Sequence, residues 1–387
     1  MSKRSGNPLY DHFYWILIGS WFIVQGILLW KFGIVTTGEA PKYLNEALYF
    51  RKHLSFSEPK YIFYSPLIFL HLVANILHVG KYGVLAVQLL INLFATIRFA
   101  DLARKLFGKT PSAVFCGLAL VFFIPLQIWN THLYTESLFI SFTILFTVSL
   151  IHCIDHGRFS IGCYTLGLLV LFTRPTGMLI IPAVMILLTI EWILASYWWR
   201  VLGMWVLGLL GFGIVLELAM KGEGEFDFMK PFIEGHIICG VPTGMADRIN
   251  LPADGNSLSG LWYFASHNSA LLLDLAEKKL IAFWGMTRTY YSTAHNYALM
   301  ILCYPLYSLA LFGLLKGKIE VIGIKSYIFI LCCFFCLSVL FSCDDWLNRF
   351  IMPLFPFLLL LAFAGLRELF PRMKRAIEYQ YFSISIL

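Results

Sequence analysis

The sequence predicts an all-α polytopic membrane protein, and three observations carry that prediction. The 387 residues are 59% hydrophobic and only 13% charged, far from the balance of a soluble domain. Several runs approach twenty residues without a charge, the length a helix needs to cross a hydrocarbon core of about 30 Å. The Lys and Arg residues lie in short clusters between those runs, so the net charge of +7 reads as orientation in a bilayer and not as a nucleic-acid surface.

The first run, about residues 13 to 35, follows Lys3 and Arg4 as a signal peptide would, but it is too long and lacks a small-residue cleavage site. It is read as a retained first span. Further spans are expected at about 82 to 98, 112 to 130, 134 to 153, 159 to 172, 177 to 195, 201 to 220, 297 to 315, 322 to 342 and 350 to 366, about ten helices in all. The apolar stretch from Ser65 to Val79 is short for a span and spaces His71, Asn75 and His78 along one helical face, as an interfacial helix would. That reading places the basic cluster Arg98, Arg104, Lys105 and Lys109 in a cytoplasmic connection, together with Lys3, Arg4, Arg158, Arg200, Lys316, Lys318 and the Arg367 to Arg375 tail.

Both termini are then inside, and residues 36–81 and 221–296 form two long extracytoplasmic loops. The second is rich in Gly, Pro, Asp and Asn and carries aromatic stretches from Trp262 and from Phe283 to Tyr291, so it reads as a partly ordered cap on the membrane. No internal repeat or separate soluble domain is visible, and residues 1–387 are read as one transmembrane domain. Of the nine cysteines, Cys116, Cys153, Cys163, Cys303, Cys332, Cys333 and Cys336 sit inside apolar runs and read as small core residues. Cys333 and Cys336 form a CxxC, but no second pair completes a zinc site.

Ionisable residues near a bilayer are costly, so their placement is informative. Glu39 follows the first span, Lys81 precedes the second, Glu136 opens the fourth, Arg174 caps the fifth, and Asp344, Asp345 and Arg349 precede the last. Any one of them alone is an ordinary interfacial anchor. Delivered to one outer interface by five connections, they suit a reaction on a lipid-linked phosphate, with cations holding the anion and a carboxylate taking a proton. Glu39, Tyr43 and Ala47 recur every four residues and share a helical face. His71 and His78 read as satisfied interfacial histidines, and no GxSxG, Walker A or HExxH pattern points to another chemistry.

The ordered motifs Glu39-x3-Tyr43-x3-Ala47, Tyr64-Ser65-Pro66-Leu67, Leu133-Tyr134-Thr135-Glu136-Ser137-Leu138, Thr173-Arg174-Pro175-Thr176-Gly177 and Arg349-Phe350-x2-Pro353-x2-Pro356 resemble the membrane-embedded GT-C glycosyltransferases. The likeness is strongest to protein mannosyltransferases and lipid A aminoarabinose transferases, and it covers most of the chain outside 221–296. The resemblance implies a GT-C type bundle with interfacial helices in the first outer loop. It also implies inverting transfer of a sugar from a polyprenyl-phosphate donor to a lipid, glycan or protein acceptor, on the extracytoplasmic face of a bacterial inner membrane.

In that scheme the first-loop acid matches Glu39, where the family more often has Asp, and Glu136 is the second candidate catalytic carboxylate. The helix after Gly80 carries Gln88 where the family often has Arg or Lys, which shifts phosphate binding to Lys81, Arg174 or Arg349. Tyr43, Asp344 and Asp345 are the candidate substrate-binding residues. The likeness is to the metal-independent branch, so no cofactor is expected; Glu39, Glu136, Asp344 and Asp345 are the carboxylates a divalent ion would use. The competing class is a transporter or lipid flippase, which commonly shows internal repeats and ionisable residues near the midplane.

Overall fold

The computed structural model describes residues 12–108, 110–194, 196–220, 230–241, 258–319 and 323–370. The longer helices are α1 (Phe13–Phe32), α2 (Ala40–His53), α3 (Ser65–Ile76), α4 (Gly80–Phe107), α5 (Pro111–Phe122), α6 (Thr135–His156), α7 (Ile161–Thr173), α8 (Ile180–Leu194), α9 (Trp198–Met220), α10 (Leu258–His267), α11 (Ser269–Gly285), α12 (Thr293–Lys316), α13 (Ile324–Phe341) and α14 (Phe355–Leu369). Among the described residues there is no strand, only isolated bridges.

Each of the expected spans is helical, and the chain is a multi-pass membrane protein by the length and apolarity of its helices. Among the described residues seven helices are long and apolar enough to cross a bilayer, or eight if Pro111–Phe122 and Ile124–Thr131, bent by 52°, count as one. The bend follows from Pro125, which has no N–H to continue the ladder, and from Phe123 at φ −77°, ψ 79°. The shortfall from ten lies in α7, which has 13 residues, and in the apolar part of α9, Trp198–Gly211.

Two local expectations change. α4 runs on to Phe107, so Arg98, Arg104 and Lys105 belong to its last turns and not to a loop. Counter-charges permit this: Arg98 pairs with Asp101 at 3.0 Å, Lys105 pairs with Asp155, and Arg104 donates to Tyr14 Oη at 2.6 Å. Gly108 at φ +71° then ends the helix, in a conformation that favours glycine. α3 ends at Ile76, so His71 and His78 do not share a polar face: His71 is buried, while His78 lies beyond the helix at φ +57°.

Burial lowers the His71 imidazole to about 4. The folded protein therefore holds it neutral while an unfolded chain protonates it near 6.5, and stability should fall as pH drops from about 6.5 towards 4. The loss is at most about 3 kcal/mol. Melting the detergent-solubilised protein across that range should show it, and His71→Gln should flatten the dependence.

The described residues fall into two compact units. The first comprises the chain to Met178 with Leu306–Lys325 and the segment from Met352 onward. Its core begins on one face of α1, where Phe13, Leu17, Trp21, Val24 and Leu28 recur every three or four residues and pack on Ala100, Val114 and Val121. The opposite face exposes Trp15, Phe22, Ile23 and Trp30, an outer surface suited to lipid. α12 and α14 touch backbone to backbone at Gly313 and Gly365. A Cβ on Gly313 would run into the Leu361 carbonyl oxygen, and one on Gly365 into that of Leu309.

Gly313→Val is expected to force the two helices apart and cost about 1–3 kcal/mol, lowering the melting temperature by roughly 2 °C or more. Gly26→Ala, at a position with nothing within 4 Å, should leave it unchanged.

The second unit comprises Leu179–Pro305 and Ser326–Ile351. It takes in most of the long loop expected at 221–296, whose described part is largely helical through α10 and α11; residues 221–229 and 242–257 lie outside the described residues. Phe232, Phe264 and Leu275 form a small core there.

Candidate functional site

In the first unit the polypeptide leaving α1 is pinned to the segment before α6. Val35 N donates to Thr131 O at 2.9 Å, Leu133 N to Val35 O at 3.1 Å, and Tyr134 Oη to Thr37 O at 2.8 Å. Gly38 sits at φ +66° directly beneath Tyr134, where a Cβ would strike the phenolic oxygen, so only glycine makes this turn. The turn delivers Glu39 as the N-cap of α2, with Pro41 in the first helical turn. The Glu39 carboxylate does not cap the helix. It accepts instead from Tyr43 Oη at 2.9 Å, one turn along, as the four-residue spacing requires.

Glu136, in the first turn of α6, and Arg174, just past the end of α7, are both buried and pair at 2.5 Å from Arg174 Nη1 to Glu136 Oε1. This contact makes α6 and α7 antiparallel with a shared end. Short as it is, rising about 20 Å, α7 therefore brings the chain back to the level at which α6 begins. Tyr43 is 1% exposed and feels the charges of both Glu136 and Arg174. Its phenol is pushed well above the ordinary range by burial and then by the negative charges of Glu39 and Glu136, with Arg174 opposing. Tyr43 therefore remains a neutral donor to Glu39. Burial also lowers the nearby His132 imidazole, whose Nδ1 lies 3.1 Å from Ile128 O.

Thus Glu39, Tyr43, Glu136 and Arg174, chosen from three separate connections in the sequence, lie together. Lys42, which the motif reading passed over, stands at the same place. Its Nζ is 4.5 Å from the Tyr64 ring centroid and 5.8 Å from those of Tyr43 and Tyr61. The first unit also carries an apolar groove of about 500 Å³, lined by Ser65, Pro66, Val87, Leu138, Leu168 and Phe172 among others.

The remaining candidates are placed differently. Lys81 is exposed at the start of α4, with its Nζ 5.5 Å from the Tyr82 ring centroid. Gln88 is fully buried and donates to His132 O at 3.1 Å, so it holds the segment before α6. Asp344, Asp345 and Arg349 belong to the second unit. There Asp344 pairs with Arg288, both fully buried, and Arg349 Nε donates to Asp345 Oδ2 at 2.5 Å. Burial raises the Asp344 carboxyl, and Arg288 pulls it back.

That segment is clasped further. Cys239 N donates to Asp344 O at 2.7 Å, Asp344 N to Ile237 O at 2.8 Å, and a disulfide joins Cys239 to Cys343. The seven cysteines of the apolar runs form no disulfide. The two that pair are those outside the runs, which is the signal that would have found them. Among the described residues no three His, Cys, Asp or Glu side chains gather as a metal site. Comparisons of the chain with protein-family models, with curated proteins and with solved structures find no match.

Proposed function

We propose that the protein is an inverting glycosyltransferase of GT-C type, moving a sugar from a polyprenyl-phosphate donor to a lipid, glycan or protein acceptor on the extracytoplasmic face of a membrane that it crosses about ten times. The observation that carries this reading is the meeting of Glu39–Tyr43 with Glu136–Arg174 in a unit that also carries an apolar groove. Such a place takes an amphiphile: the polyprenyl chain in the groove, the phosphate and sugar among the charges.

In the reaction the acceptor oxygen bonds to the anomeric carbon from the side opposite the phosphate while the bond from that carbon to the phosphate oxygen breaks. Glu39 takes the acceptor's proton, and the lipid phosphate leaves as an anion. Because phosphate leaves readily, a single carboxylate suffices, without the acid partner a glycosidase needs. The Tyr43 hydroxyl orients the Glu39 carboxylate, and fixed cations in a poorly hydrated site meet the charge growing on the phosphate. Glu136 holds the Arg174 guanidinium at that site.

The Cys239–Cys343 disulfide supports an extracytoplasmic assignment of the two segments that carry these cysteines, since cytosolic thiols are kept reduced. Two candidate spans, α12 and α13, separate the two cysteines, which returns them to one side. The test is transfer of labelled sugar from a panel of polyprenyl-phosphate sugars to membrane acceptors by the purified protein in liposomes. Transfer supports the reading; translocation of the labelled lipid without transfer would replace it with a flippase.

A further inference from the structure

Resting on the proposed function, we infer that Tyr134 is a positioning residue for the transfer: it fixes the proposed base, Glu39, against the Glu136–Arg174 pair, and the rate of proton removal depends on its hydroxyl. Tyr134 has no part in the reaction scheme itself. What singles it out is that its backbone and its side chain belong to different halves of the cluster.

The backbone opens α6. Tyr134 is the N-cap residue of that helix, extended at φ −113°, ψ 174°, and Glu136 follows two residues later in the first turn. The side chain crosses to the segment leaving α1, where its hydroxyl donates to Thr37 O at 2.8 Å, 97 positions away in the chain and two residues before Glu39. Between Thr37 and Glu39 lies Gly38, whose bare Cα is what leaves room for the phenolic oxygen. One side chain thus sets where the turn that carries Glu39 stands relative to the helix that carries Glu136.

The link is stiff at both ends. Val35 N to Thr131 O and Leu133 N to Val35 O hold the two segments side by side, and Gln88 of α4 donates to His132 O at 3.1 Å. The Tyr134 ring lies 5.3 Å from that of His132, at 73° to it, and 6.3 Å from that of the buried Trp129, measured between centroids. A tyrosine side chain turns about only two bonds, so a packed ring leaves its hydroxyl little freedom. Because the acceptor is a main-chain oxygen, the bond fixes the course of the backbone, while Tyr43 orients the Glu39 carboxylate that this backbone presents.

Such a link bears on rate more than on binding. A general base works within about 2.6–3.2 Å of the proton it takes, and a misplacement of about 1 Å costs on the order of 100-fold. The attraction between a cation and a lipid phosphate changes slowly with distance and tolerates the same displacement.

The experiment compares the full-length wild type, Tyr134→Phe, Glu39→Gln and the double variant in nanodiscs of neutral phospholipid. It measures affinity for polyprenyl phosphate and single-turnover transfer from the polyprenyl-phosphate sugar that the wild type uses. Tyr134→Phe is expected to keep the affinity within about twofold and to slow transfer by at least about tenfold. In the Glu39→Gln background the same change should slow the residual transfer by less than about twofold, because misplacing a base that is already gone costs nothing.

If the wild type transfers sugar from no polyprenyl-phosphate donor, the proposed function fails and this inference with it. If the wild type transfers and Tyr134→Phe is as fast, the function stands and the role of Tyr134 is overturned. An equal fall in both backgrounds marks a merely structural contact and also overturns it. If Tyr134→Phe loses affinity together with rate, Gly38→Ala decides, since its Cβ displaces the hydroxyl without removing it: slowed transfer at unchanged affinity supports the inference, and any other result overturns it.

Discussion

Glu39→Gln is expected to retain donor binding while turnover falls by at least about 100-fold, the usual effect of removing a general base. The substitution keeps the shape and the hydrogen bond, because the amide oxygen can still accept from Tyr43 Oη, now 2.9 Å from the carboxylate. What it removes is the capacity to take a proton. Binding and chemistry should therefore separate in single-turnover measurements with a labelled polyprenyl-phosphate sugar. Loss of binding together with turnover would make Glu39 a structural residue. Turnover near the wild-type rate would move the base elsewhere, with Glu136 next, although Arg174 already claims one of its oxygens. Glu39→Asp shortens the reach of the carboxylate by one methylene and measures how closely the pocket is set around glutamate.

The second large effect is expected in the other unit. Asp344→Asn should destabilise by about 3–5 kcal/mol, because Arg288 keeps its charge and cannot return to water. The Arg288 side chain is 0% exposed, and it also donates to the Ala282 and Thr287 carbonyls, at 2.7 and 3.0 Å. Arg288→Met should be comparably harmful, since it strands the carboxylate. The double variant Arg288→Met/Asp344→Asn removes both charges and should be more stable than either single one, because a buried pair spends much of its attraction on its own desolvation. Thermal unfolding of all four proteins in one detergent measures the coupling; single variants within about 0.5 kcal/mol of wild type would show that the pair is not buried in solution.

Hydropathy made the helices legible, since every expected span is helical, but it did not set their ends or the number that cross. α4 outruns its apolar stretch because Asp101 and Asp155, one of them far along the chain, neutralise its basic end. α7 looks too short to cross by length, and only the Glu136–Arg174 contact shows that it returns to the start of α6. Local geometry gave Glu39–Tyr43, a pair four apart on one helix. Pairs formed across the fold were not readable in the same way: Arg288 lies 56 positions from Asp344, and Lys42 has the look of a solvated surface lysine until Tyr61 and Tyr64 fold over it.

The bond between Cys239 and Cys343 spans 104 positions. At ribosomal speeds of about 5–20 residues per second, the first thiol emerges on the order of ten seconds before its partner has been made. During that interval Cys239 is an unpaired sulfhydryl, which in an oxidising compartment is open to mixed disulfides with whatever thiol arrives first. Closure of the clasp around Asp344 is thus a late event in biogenesis. Yield of the mature protein should track the host's capacity for thiol exchange more closely than its capacity for membrane insertion.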